Sequence, residues 1–218
     1  MKMFLRFTAV ATLLLTPTIT QAQTAPANTG AAANLGGSPI VDSQWQFSTN
    51  GGASWAQAFQ VQSPPSPPWQ ANTAQYSWIS ATSSASGGGG DYLFRTFFDL
   101  TGYDASSAAM TFRCAIDNYV GATGQSFQTA LNGADAGSAC GTGFQFGSTQ
   151  SVTTGFVDGV NEVRFAVSGD SQTDGLLVGD MTLTANTATT ATPEPASLML
   201  LGTGFIGLAA VSRRRRTA

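Results

Sequence analysis

The sequence predicts an all-β protein, a β-sandwich held between two terminal segments that have the make-up of targeting elements. Three observations lead there. Short stretches alternate apolar and polar residues with the period of a half-buried strand. Clusters of Gly, Asn, Asp and Ser separate those stretches. No convincing amphipathic helix interrupts them before the C-terminal apolar run.

Residues 23–38 are rich in Ala, Thr, Asn and Gly and read as a flexible lead-in, with the folded domain spanning 39–184. Val41 to Phe47 alternates cleanly, and Asn50-Gly51-Gly52 turns the chain toward a short strand at Ala58 to Gln62. Ser63 to Pro68 holds four prolines, so it is extended and cannot sit centrally in a sheet. Tyr76 to Ile79 is strand-like, and Ser83 to Gly90 is a loop ending in four glycines. Tyr92 to Leu100 and Ala108 to Ile116 are the clearest core strands; in the second, Met110, Phe112, Cys114 and Ile116 share one face. Phe127 to Leu131 runs into the hairpin signal Asn132-Gly133, and Phe144, Phe146 and Val152 suggest two short strands. Gly159-Val160-Asn161 turns into the alternating Glu162 to Val167, and Leu176 to Leu183 closes the domain. Residues 185–192 form a Thr/Ala spacer.

Two stretches narrow the architecture. Tyr92 to Tyr103 (YLFRTFFDLTGY) and Gly155 to Val167 (GFVDGVNEVRFAV) resemble segments of galactose-binding-like jelly-roll domains of bacterial surface proteins. The resemblance implies a two-sheet jelly roll, often a carbohydrate-binding module, and transfers no ligand-contact residue.

The ends carry addresses. Lys2 and Arg6 precede an apolar stretch from Phe7 to Leu15, with small residues at Thr20 and Ala22. This is the pattern of a secretory signal peptide over 1–22, removed by signal peptidase. At the other end, Pro193-Glu194-Pro195 leads into an apolar run and then Arg213, Arg214, Arg215 and Arg216. The run at 196–212 makes a helix of roughly 25 Å. It spans a bilayer core of about 30 Å when the arginines snorkel to the headgroups. Those arginines hold their end on the cytoplasmic side. The prolines make a stiff, exposed approach to the span. The three parts in this order, over 193–218, resemble the PEP-CTERM sorting signal of Gram-negative bacteria. The resemblance implies recognition by an exosortase in the inner membrane, cleavage near the motif, and delivery to the cell surface or an extracellular matrix.

Charge narrows the partners. Of nine basic residues, only Arg95, Arg113 and Arg164 lie outside the two terminal segments, whereas eleven of the twelve acids do. The exported portion therefore carries a net charge near −8 against −3 for the whole chain, which argues against nucleic acid as a partner. Each of the three arginines is expected to pair with an acid on a neighbouring strand. Cys114 and Cys140 are the only cysteines, and an exported pair is expected to form a disulfide.

Chemistry is sparse. The chain has no histidine and no lysine beyond Lys2, so serines and threonines lack a ready base. Glycoside hydrolysis needs two carboxyl groups flanking one bond, and the spacing of the acids selects no pair. The protein is expected not to be an enzyme, with a glycoside hydrolase as the remote alternative. Asp170, Gln172 and Asp174, followed by Gly175, resemble the start of a calcium loop. Position twelve is Met181 rather than Glu, so an ordinary polar hairpin is the leading reading. Trp55 and Trp69 sit in polar loops and are the candidates for stacking on a sugar; the competing reading has them capping the ends of the sandwich. Two expectations result: a non-catalytic surface or matrix protein, or a lectin-like module binding polysaccharide with calcium as an optional cofactor.

Overall fold

A computed structural model of the chain describes residues 25–63, 68–87, 89–117, 128–142, 144–169, 172–188 and 203–205. The chain divides into two compact units, Met1–Thr187 and Ala188–Ala218. In the second unit the described residues are 188 and 203–205, and the latter three are helical. Among the described residues no helix is long and apolar enough to cross a membrane. The expected span at 196–212 lies outside them apart from 203–205, as do the expected signal peptide and Pro193 to Pro195.

The described part of the first unit is all-β. Its strands are β1 (Leu35–Gly36), β2 (Val41–Ser48), β3 (Ala56–Gln60), β4 (Ile79–Ser80), β5 (Gly90–Asp99) and β6 (Ala109–Asp117). They continue with β7 (Thr129–Leu131), β8 (Ala134–Asp135), β9 (Gly141–Thr142), β10 (Gln150–Val152), β11 (Val160–Gly169) and β12 (Gly175–Thr184). The long strands fall where alternation is strongest, because a period-two apolar pattern buries one face of a sheet.

The pairing differs from the expected two sheets. The strands form one hydrogen-bonded path in the order β10-β6-β12-β4-β3-β2-β5-β11-β7-β8, with β1 on β2 and β9 on β6. Every pair is antiparallel except β6 with β9. The joint between the two halves is β4, where Ile79 pairs with Leu176 of β12 and with Gln60 of β3. The path then curls on itself. Six strand spacings separate β6 from β11, about 29 Å on a flat sheet. Yet Phe112 of β6 and Phe165 of β11 meet edge to face with ring centroids 5.4 Å apart, and Trp45 of β2 lies 5.7 Å from Phe165. Curling lets one sheet enclose its own core of Trp45, Phe94, Phe112, Phe165, Leu100 and Leu176.

A second apolar cluster covers the outside of the β6–β12 half. Ala115 and Leu177 are register partners on the outward face, and both are buried under Trp69 and Trp78. Gly175 makes room for those rings, since a Cβ there would lie 3.1 Å from each indole. This cover explains departures from the expected strands. Tyr76 to Trp78 leaves the ladder, and only Ile79–Ser80 pairs, because Trp78 N–H donates to Asn72 and its ring stacks on Trp69. Phe144 and Phe146 lie in coil rather than strand, and Phe146 packs edge-on to Tyr76.

The lead-in is part of the sheet. Past Leu176, β12 loses β4 as a partner, and residues from 28 to 30 take that place. Val178 N–H donates to Thr29 Oγ1 at 2.9 Å, Thr29 N–H to the Val178 carbonyl, and Met181 N–H to Asn28 Oδ1. On its other side Thr29 accepts from Ser77 N–H at 2.7 Å. Asp42 secures this plug: it is fully buried and accepts from Gly30 N–H at 2.7 Å and Gln44 N–H at 2.9 Å. Unsatisfied backbone groups at a strand edge are costly once buried, so a segment with few apolar residues is held by hydrogen bonds instead of by apolar burial.

Burial raises the Asp42 pKa above its usual 3.8, against the lowering effect of those backbone donors. A raised folded-state pKa stabilises the fold fully below the unfolded value and loses that contribution as pH rises through the folded one. Denaturant melts should therefore show the stability difference between wild type and Asp42→Asn shrinking as pH is raised through the window above 3.8. Cys114 and Cys140 are disulfide-bonded across a separation of 26 residues. Replacing both by Ala should cost roughly 3–4 kcal/mol on chain entropy, read as a lower urea midpoint, with no further loss on adding reductant.

Candidate functional site on the outer face of the sheet

The turn after β2 is built by short polar side chains. Gly52 N–H donates to Ser48 Oγ at 2.9 Å, Ser54 N–H to Asn50 Oδ1 at 2.9 Å, and Asn50 Nδ2 to Ser54 Oγ at 2.8 Å. Gly52 has φ +92°, and a Cβ there would stand 3.3 Å from the Trp55 ring. The turn thus folds over the outside of β5 and β11 and delivers Trp55 just before β3.

Under that ring lie two cations. Arg95 of β5 and Arg164 of β11 are direct register partners. The Arg95 guanidinium carbon is 3.9 Å from the Trp55 ring centroid and that of Arg164 is 5.5 Å away. Arg95 also lies 4.9 Å from the Phe97 ring. Like charges directly across a ladder repel, and Glu162 offsets them. Arg164 Nε and Nη2 donate to the two Glu162 oxygens, the second at 3.0 Å, and Arg95 Nη1 is 3.7 Å from Oε1. Donation to the Glu162 carboxylate raises the Arg164 pKa above its ordinary value, holding the guanidinium charged. Arg95 Nε donates to Gln46 Oε1 of β2 at 2.9 Å. Beside this cluster Phe97 is 41% exposed and Val160 64%. The arrangement sets one largely buried guanidinium against two aromatic rings, with Phe97 and Val160 exposed beside it.

The pairing expectation for arginine is met with one difference. Arg113 pairs with Asp180 on the neighbouring strand and Arg95 approaches Glu162 across the ladder, but Arg164 takes Glu162 from its own strand, two residues away.

The other predicted residues divide. Trp55 is half-buried at the cluster just described. Trp69 is 8% exposed and stacks on Trp78 at 4.1 Å. Its indole N–H donates to buried Asp117 at 2.9 Å, and Thr173 Oγ1 donates to the same oxygen at 3.2 Å. The open face that sugar stacking would need from Trp69 is thus taken up in packing. The structure does not bring Trp55 and Trp69 together: one belongs to the outer face of β5–β11, the other to the cluster over β6–β12. Of the calcium candidates, Asp170 lies outside the described residues, Gln172 is exposed and Asp174 is buried. Among the described residues no group of three or more acidic or cysteine side chains could hold a metal ion. Pro193, Glu194, Pro195 and Arg213 to Arg216 lie outside the described residues.

Sequence reasoning missed Gln46, Phe97 and Glu162 as companions of Trp55. The signal was present in part, since Arg95 and Arg164 stand out as scarce cations on two alternating strands.

Comparison with protein families adds one match, to the C-terminal segment. Residues 191–216 carry the PEP-CTERM protein-sorting motif. The PEP-CTERM motif is a recognition signal for exosortase, and it implies an exported protein processed at the membrane. No curated protein and no solved structure matches the chain, so the galactose-binding-like resemblance gains no support from them.

Trp69→Phe keeps an aromatic ring of smaller area and removes the indole donor to Asp117. Taking one donor from a buried carboxylate costs about 1–3 kcal/mol, so the urea midpoint should fall while the near-ultraviolet aromatic signal of the fold is retained.

Proposed function

We propose that this chain is an exported, non-catalytic protein that an exosortase sorts through its PEP-CTERM tail, leaving the β-domain at the cell surface or in an extracellular matrix. The match over residues 191–216 carries this reading. The N-terminal pattern at 1–22 supports export, and the apolar run at 196–212 would serve as a transient anchor in the inner membrane. A non-catalytic role is supported by the absence of histidine and by the state of Glu162. It is the one glutamate between the terminal segments, and two arginines engage it. We read the curled sheet as a variant of the jelly roll, its two halves facing across Phe112 and Phe165. Mass spectrometry of surface-extracted protein tests the sorting reading. The expected C-terminus lies near Pro193, without the arginine cluster; recovery of chain intact to Ala218 would overturn it.

A second reading, a carbohydrate-binding module with calcium as an optional aid, is favoured by Trp55 in its guanidinium setting. Glycan-array binding should be lost in Trp55→Ala. No binding with or without calcium would remove this reading.

A further inference from the structure

We propose that the outer face of β2, β5 and β11 binds an acidic polysaccharide, with Arg95 receiving a sugar carboxylate and Phe97 the apolar face of a neighbouring ring. The proposal rests on the carbohydrate-binding reading and names its ligand class and residues.

Charge is the first ground. The exported portion is acidic and holds three arginines, and two of them are placed in register on this one face. Arg164 is committed to both oxygens of Glu162. Arg95 is not. Its Nε serves Gln46 and its Nη1 faces Glu162 at 3.7 Å. Its Nη2 has no hydrogen-bond partner among the described residues. A guanidinium presents a planar fork that suits a carboxylate, and Trp55 and Phe97 at 3.9 and 4.9 Å hold this one in place. With Glu162 neutralised by Arg164, Arg95 is the cation of the row that keeps an open donor, while Asp91 and Asp99 stand farther along the same face of β5.

Shape is the second. Gln57, Gln46, Arg95 and Arg164 stand in one cross-strand row over β3, β2, β5 and β11. Residues opposite one another in a ladder project from the same face, and three strand spacings make the row about 14 Å long. The row carries amide and guanidinium groups across the strands, with Trp55 lying over its arginine end, so a chain laid along it meets the glutamines and the edge of the Arg95 guanidinium. Phe97 and Val160 stand exposed on the same face, along β5 and β11 from the row. Aromatic and aliphatic groups in that position cover the C–H face of a pyranose while the polar row meets its hydroxyl and carboxylate groups.

The test is affinity electrophoresis and calorimetry of the exported portion against polygalacturonate, alginate, and polygalacturonate with its carboxylates methyl-esterified. Polygalacturonate or alginate should bind, weakening with added salt. Arg95→Gln should reduce binding about tenfold or more, and Phe97→Ala severalfold. Arg113→Gln, on the other half of the sheet, should leave binding as in wild type. Equal binding to the methyl ester would overturn the acidic assignment and leave the carbohydrate reading standing. Binding to no saccharide, acidic or neutral, would remove both. Binding to phosphatidylglycerol vesicles in place of the acidic glycans, or binding indifferent to Arg95→Gln, would overturn the proposal.

Discussion

The edge-to-face packing of Phe112 on Phe165 is the contact on which the rest of the domain depends. It joins strands that stand far apart along the hydrogen-bonded path, so it can form only if the sheet curls. A single layer of strands leaves an apolar face in water, and burial of that face drives closure. Trp45, Phe94 and Leu176 fill the enclosed space from intervening strands. The disulfide then ties the segment ending at Cys140 to the inward side of β6, next to the same core.

Closure creates a second problem, and the chain solves it with polar residues. A curled sheet joined through a two-residue strand leaves backbone groups of β12 without a ladder partner. Asn28 and Thr29 supply them, and Asp42 holds that segment down. Composition had marked this region as lead-in because it offers few apolar residues to bury. Hydrogen bonds to backbone carry no periodicity, so a short polar plug leaves no signature in an apolar pattern.

The outer surface is used in two different ways. Over β6 and β12, rings from loops cover outward alanine, leucine and glycine, giving that half a third layer. Over β5 and β11, a polar turn sets one tryptophan on two arginines and leaves phenylalanine and valine exposed beside them. The two loop tryptophans, alike in sequence surroundings, thereby part company. Trp69 finds a buried acceptor in Asp117, whereas Trp55 meets cations at a solvent-facing edge. A buried indole needs a partner for its N–H, and which loop supplies one depends on residues distant in the chain.

By itself the sequence determined the all-β class, the position of the long strands, the bonded cysteine pair and the C-terminal sorting motif. Each of these is written locally: in period-two alternation, in composition, or in a short ordered run of residues such as Pro193 to Arg216. The tertiary structure alone decided that one sheet curls where two were expected, that residues near 29 bond to its β12 edge, and that Trp69 is packed away. It also decided that Arg95 and Arg164 lie side by side under Trp55 with Glu162 between them. These outcomes depend on strand order and register. Register pairs residues far apart in the chain, and a slip of one position would turn either arginine to the opposite face. Local pattern shows which face a residue prefers, and only the assembled ladder shows whom it meets there.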